Sequence, residues 1–388
     1  MLRQKPSRIN AGQLKIQTQS GFSLIEFLVA SIISMIVLIA AGSTYFTTQQ
    51  LNRVATERLN AQQDLRNAAN LIVRDARQAG TFGCANLADP AVVGVSAYGV
   101  NHSLGIRLAE SDNQPNNFGV HVMTGADFVN NSGIANFNSV GNALIFVYGD
   151  GFAAVNSLIP NTLTASGTVN VTAIQLNVNG NDAVGQVMDN GNAGDAAPLV
   201  LSSCNRVQTL QRGGGYTRAN NNRITLNPAL NPAVVVSTEN AGANAFQPGS
   251  LSVSKLVGSA YVVGSINATG AVNGLYRFNL GTDGTWSAPQ LLVSDIANAN
   301  GMAMQFGYVQ SVNCTPGAVN PNEQFQFRDE LEIIPGYGKL PALIRIRLNV
   351  ASGQNRAAGV DVGRIHEYVI DAAVRGGNVC ANRGMGGA

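Results

Sequence analysis

Along the chain, the period of the apolar positions changes twice. From Phe22 to Ala41 the sequence FSLIEFLVASIISMIVLIAA is nearly unbroken in hydrophobicity, and Glu26 is its one charge. Twenty such residues are enough for a helix to cross a hydrocarbon core about 30 Å thick, so the run predicts a membrane span. Beyond it Leu51, Ala55, Leu59, Leu65, Ala69, Ile72 and Ala76 recur at steps mostly of three and four, the stripe of an amphipathic helix. No Pro interrupts Phe22 to Ala79, and Gly42 is the one glycine there. The two patterns together predict one helix of 58 residues, about 87 Å long, with Gly80 as its C-terminal stop. Its remaining surface carries Arg53, Glu57, Arg58, Asp64, Arg66, Arg74 and Asp75, and the stripe is expected to lie against a sheet. A free coiled coil would need more Leu and Ile than this Ala-rich stripe supplies.

After Thr81 the helical period gives way to short alternating or apolar runs between Gly, Asn, Asp and Pro clusters, which predict strands. Candidates are Ala91 to Ser96, Ala143 to Tyr148, Val169 to Val178, Pro198 to Ser202, Val234 to Ser237, Lys255 to Ile266 and Leu275 to Leu280. Met302 to Val309, Ala342 to Val350 and Arg364 to Ala373 complete the set, and LIRIRLNV alternates as a sheet with one wetter face does. Asn-rich stretches at Asp112 to Asn117, Asn179 to Asp195, Asn220 to Asn222 and Asn240 to Asn244 read as surface loops with no fixed repeat. The fold class expected is α+β: a long N-terminal helix, transmembrane and then amphipathic, packed on an elaborated antiparallel β-sheet body. The divisions expected are a leader at 1–21, a spine helix at 22–80 with its span at 22–41, and a body at 81–388, with an alternative subdivision near 250.

Composition agrees with such a body. Only 12% of residues are charged, against about 25% in ordinary domains, while 43 are Gly and 43 are Asn, which favours turns and short strands. The 45% apolar fraction supports a packed core and excludes wholesale disorder. A formal charge of +2 gives no global sign of a nucleic-acid surface, and nucleic acid is not expected as a direct ligand.

The charge is also unevenly placed. Arg3, Lys5, Arg8 and Lys15 lie in the first 21 residues with no acid beside them. Positive flanks stay on the cytoplasmic side, so the residues after the span are expected outside it. A secretory signal places its small-residue cleavage site after a short apolar run; here Gly21 precedes a long one.

Residues Gly21 to Ala30, GFSLIEFLVA, resemble the processing motif of type IV prepilins and of type II secretion pseudopilins: a basic leader ending in Gly, a hydrophobic new N-terminus, and Glu fifth in the mature chain. The resemblance implies that a prepilin peptidase cuts between Gly21 and Phe22 and methylates the Phe22 amine. Removing the leader's four positive charges from +2 would leave −2. An acidic residue within a membrane span costs roughly 2.5 to 3.5 kcal/mol on insertion scales. The resemblance implies that Glu26 meets the N-terminal amine of a neighbouring subunit during assembly; the plainer alternative is a solvated end residue near the interface.

A closer resemblance is carried by LIVRDARQAGTFGC (Leu71 to Cys84), similar to the end of the spine in PilW-type minor pilins, and by PLVLSSCNRVQTL, similar to that family's second cysteine strand. GLYRFNL, QLLVSDIANANGMAMQFGY, ALIRIRLNV and YVIDAAVRGGN follow the order of its C-terminal half, and they also resemble the larger minor pseudopilin of type II secretion. The tail departs from the family in reading Val374, Arg375, Gly376, Gly377, Asn378 where a strand often ends Leu-Arg-Asn. The resemblance implies a structural subunit placed at or near a pilus tip, with other minor pilins, the major pilin and a tip adhesin as partners. It implies the inner membrane as the location before assembly and the extracellular fibre after it, in support of twitching motility, adhesion or DNA uptake. The rivals are a type II secretion pseudopilin and a membrane-anchored adhesin or DNA-capture protein.

Cys84, Cys204, Cys314 and Cys380 fit two disulfides in an oxidising compartment, and sequence alone leaves three connectivities. Cys84 with Cys204 and Cys314 with Cys380 is the pairing expected; it would anchor the end of the helix and tie down the tail. No CxxC spacing suggests zinc. His102, His121 and His366 are isolated, and neither a GxSxG elbow nor a GxxxxGK loop occurs, so no catalytic residue, metal or cofactor is expected and an exported hydrolase is disfavoured. Asp189, Asn190, Asn192 and Asp195 offer oxygens for calcium without EF-hand spacing, and an ordinary turn is the default. Arg206, Arg212, Arg218 and Arg223 with Tyr216 form a candidate basic, stacking group for nucleic acid, against which a solvated face is preferred.

Overall fold

The computed structural model describes residues 21, 23–87, 119–159, 168–169, 171–178, 182–189, 199–204, 206–210, 216–219, 223–226, 234–235, 251–266, 273–281, 285–297, 301–309, 325–335, 337, 340–352 and 364–374. The chain divides into two units, Met1–Thr56 and Glu57–Ala388. Helix α1 (Leu24–Gln78) follows the uninterrupted pattern of its sequence. It stops where expected, because Gly80 takes φ 75°, a left-handed conformation that glycine adopts without steric cost.

In the second unit the helix buries Leu65, Ala68, Ile72, Asp75 and Ala76. The expected stripe is thus met only from Leu65 onward, with Ala69 half-buried. Leu51 and Leu59 remain 65% and 66% exposed, since periodicity gives the face of a helix and not the point along it where packing begins. Asp75, expected on the polar surface, is a second correction: it is fully buried.

The strands β1 (Thr81–Phe82), β2 (Ala85–Asn86) and β3 (Val120–Thr124) lead to helix α2 (Gly125–Ser132) and β4 (Phe137–Ile159). Then come β5 (Thr168–Val169), β6 (Ala173–Leu176), helix α3 (Ala183–Asp189), β7 (Leu199–Ser203) and β8 (Arg206–Leu210). β9 (Tyr216–Ala219), β10 (Arg223–Leu226), β11 (Val234–Val235), β12 (Ser252–Ile266), β13 (Gly274–Asn279) and β14 (Gln290–Val293) follow. The last four are β15 (Ala303–Tyr308), β16 (Gln326–Arg328), β17 (Leu343–Ser352) and β18 (Arg364–Ala373). Every pairing among the described residues is antiparallel.

A ten-stranded sheet runs β14-β13-β12-β4-β6-β10-β9, with β3 beside β4 and the β7–β8 hairpin joined to β12. A four-stranded sheet runs β16-β15-β17-β18. The expected α+β class holds: a long apolar N-terminal helix is followed by a body rich in antiparallel sheet. Among the described residues two hydrophobic cores form in the body. The larger packs the last turns of α1 and α2 against β3, β4, β12, β13, β15, β17 and β18; the smaller gathers β6, β7, β9, β10 and α3.

Most expected strands are present. Val169 to Val178, however, is broken into β5 and β6, and Ala143 to Tyr148 is the middle of the 23-residue β4. Helical structure also returns after Thr81. In α2 the Thr124 hydroxyl accepts from the Asp127 N–H at 3.1 Å, and Gly133 closes the helix at φ 67°. Its Phe128 meets Phe278 and Trp286 edge-on, with ring centroids 5.2 and 5.1 Å away. The Asn-rich stretch from Asn179 to Asp195 contains α3 where a loop was expected. Ala91 to Ser96 and the other three Asn-rich stretches lie outside the described residues.

The alternation in LIRIRLNV is realised as read. Ile344, Ile346, Leu348 and Val350 enter the core. On the opposite face Arg345 donates twice to Asp371 of β18, at 2.8 and 3.0 Å, which holds that carboxyl below its ordinary range.

Candidate assembly segment and its anchorage

The N-terminal end of α1 holds the residues singled out by the sequence. Gly21 is exposed, with open space where a side chain would begin, and Phe22 lies outside the described residues. The Ser23 N–H donates to Glu26 Oε2 at 3.1 Å, while the Phe27 N–H donates to the Ser23 carbonyl at 3.1 Å. Ser three residues ahead of Glu is the signature of a capping box, in which the carboxylate satisfies a backbone donor that the helix itself cannot. The sequence signal was present in Ser23-Leu-Ile-Glu26 and the capping contact was missed. It occupies one carboxylate oxygen only. Around it Leu24, Ile25 and Phe27 are 82%, 69% and 73% exposed, so the carboxylate stands exposed within an apolar surface.

The other end of α1 is fastened by a buried ion pair. Asp75 Oδ2 accepts from Tyr261 Oη at 2.7 Å and from Arg277 Nη2 at 2.8 Å. Asp75 Oδ1 accepts from Arg74 Nε and Nη2, both at 3.1 Å, and from Tyr148 Oη at 3.5 Å. Arg277 Nη2 also donates to Ser259 Oγ at 3.0 Å. Burial, followed by the Asp75 charge, pushes the Tyr148 hydroxyl up to about 12 and the Tyr261 hydroxyl well above its ordinary value, so both remain neutral donors. A carboxylate desolvated this far is stable only with such partners. Backbone bonds join the residues just after the helix to β4 as well: Gly80 N–H donates to the Val147 carbonyl, and Val147 N–H to the Gly119 carbonyl, each at 2.8 Å. A Cβ on Gly119, whose φ is 102°, would collide with the Gly80 backbone.

Cys84 and Cys204 form a disulfide with Cα atoms 4.7 Å apart, the first pairing expected. Cys84 lies in the turn between β1 and β2, and Cys204 in the turn between β7 and β8, so the bridge staples two hairpin turns. Cys314 and Cys380 lie outside the described residues.

The remaining candidates do not converge. Tyr216 is fully buried in the smaller core and has no face for a base, which removes the stacking half of the basic group. Arg206, Arg218 and Arg223 belong to three different strands, and Arg212 lies outside the described residues. Asp189 ends α3, while Asn190, Asn192 and Asp195 are outside, as is His102. His366 pairs with Val350 through the backbone. His121, on β3, is 1% exposed, and burial pushes its imidazole down to about 3.

The prokaryotic N-terminal methylation motif matches residues 16–42, a stretch that holds Gly21, Phe22 and Glu26 and opens α1. A prepilin-type motif supports a type IV pilin-like or pseudopilin protein and points to a structural subunit, processed by prepilin peptidase and associating with other pilins. Joined to a helix long and apolar enough to cross a membrane, it fits a membrane-anchored pilin that is assembled into a fibre. The comparisons bring no match among curated proteins or solved structures.

Proposed function

We propose that the chain is a minor pilin of the PilW type, cleaved after Gly21, methylated at Phe22, and drawn from the inner membrane into a type IV pilus at or near its tip. The observation that carries this reading is a methylation motif running without interruption into a 55-residue helix whose last turns are fastened into a large β-body. Bulk argues for the tip. A body of some 300 residues is costly to repeat along a thin fibre and easily placed once at its end. In the membrane Glu26 caps its own helix; on assembly its second oxygen offsets the amine of an adjacent subunit, where low dielectric strengthens the attraction. The β-body faces outward, in contact with other minor pilins, the major pilin or an adhesin.

The test is complementation of a deletion strain with wild-type or Glu26→Ala protein, counting surface fibres and exported proteins together. Fibres restored by wild type and lost, with secretion intact, in the variant are expected. Normal fibres with failed secretion would assign the protein to a type II secretion pseudopilus instead, and normal fibres and secretion with Glu26→Ala would remove the assembly role of that residue.

A further inference from the structure

Strand β18 pairs with β17 over ten consecutive residues, Arg364 to Ala373, without a register shift, and with no other strand among the described residues. A long edge leaves a row of backbone donors and acceptors open, and proteins usually blunt such an edge with Pro, a bulge or a cover. β18 has neither Pro nor bulge. Its two acidic residues are each paired, Asp371 with Arg345 at 2.8 Å and Glu367 with Arg347 at 3.8 Å, which lessens their repulsion of an arriving strand.

Beside this strand, a groove of about 340 Å³ lies between Glu367 and Tyr368 on one side and Arg58, Gln62, Leu65 and Arg66 of α1 on the other. Leu65 gives it an apolar floor. Arg58 and Arg66 lie two turns apart on one stripe, both exposed, and make no ion pair among the described residues. The site therefore offers unspent strand edge, apolar area and two cations. The side chains of the chain's own residues 375–388 include Arg375 and Arg383 and no Asp or Glu, the wrong sign for these cations.

The geometry points to a docking site for an extended segment of a neighbouring fibre subunit that bears a carboxylate next to an apolar side chain. The segment adds a strand to β18, sets its apolar side chain on Leu65 and gives its carboxylate to Arg58 and Arg66, with backbone pairing supplying affinity and the groove supplying selectivity. This inference rests on the fibre reading above.

The test places the photocrosslinker p-benzoylphenylalanine at Gln62 of the full chain in its host, irradiates sheared surface fibres and maps adducts by peptide mass spectrometry. Expected is an adduct to an acid-bearing segment of another subunit, whose yield falls about tenfold with Arg58→Glu and Arg66→Glu together and is unchanged by Arg77→Glu. Adducts confined to residues 375–388, to phospholipid or to a segment without Asp or Glu overturn the docking site. So does a processed chain in fibres with no adduct, which leaves the fibre reading intact. An uncut chain confined to membranes overturns both.

Discussion

Asp75 sets the terms at the residue scale, because a fully buried carboxylate must be matched atom by atom. Its partners Tyr148, Tyr261 and Arg277 stand 73, 186 and 202 positions away in sequence, so no local pattern reveals them, and a charge beside Arg74 reads as surface. Asp75→Asn keeps the shape but leaves Arg277 buried without its counter-charge, and is expected to lower stability by about 3 kcal/mol, read as a fall in urea midpoint. An unchanged midpoint would mean the pair contributes nothing. His121 gives a pH signature. Its folded value of about 3 lies below the unfolded value near 6.5, so its contribution is fully present above about 6.5. As pH falls below that, the unfolded chain takes up a proton that the folded chain refuses, and stability is lost at about 1.4 kcal/mol per unit towards pH 3. Urea midpoints between pH 7 and 4.5 should fall less steeply in His121→Leu than in wild type; equal slopes would contradict this origin.

Among the elements, legibility follows how local the determining physics is. Helix α1, β17 and β18 were readable because uninterrupted periodicity decides them, and the stop at Gly80 because one residue type supplies the left-handed turn. Helix α2 carried a readable signal that was passed over, Thr124 three residues before Asp127 and Gly133 at the end. In contrast β8, β9 and β10 have four or five residues each, too short for a period, and owe their existence to partners across the sheet. The candidate site divides likewise: Gly21, Phe22 and Glu26 are a contiguous motif, whereas the Cys84–Cys204 pairing, 120 residues apart, was one of three connectivities. That bridge fastens the turn just after α1 to the β7–β8 hairpin. Replacing both cysteines with serine is expected to cost about 4 to 5 kcal/mol in the chain-entropy estimate, measurable by thermal or urea unfolding. A loss under about 1 kcal/mol would show that the two turns are held together without it.

For the molecule as a whole, the division of labour follows the chain. The first unit presents an apolar helix with one carboxylate near its start, and in the second the later turns of that helix are packed into the larger core. In the second unit Asp75, Gly80 and the Cys84–Cys204 bridge tie the end of the helix and the turn after it to the β-body. A tip position requires low copy number, so quantitative mass spectrometry of purified fibres should find this chain far below the main subunit; equal abundance would contradict the placement. The most direct measurement is N-terminal sequencing with intact mass of the protein from sheared surface fibres, beside the membrane fraction. A chain beginning at N-methylated Phe22 in the fibres is the expected result. An uncut chain beginning at Met1, retained in membranes and absent from fibres, would contradict the pilin reading and leave a membrane-anchored binding protein in its place.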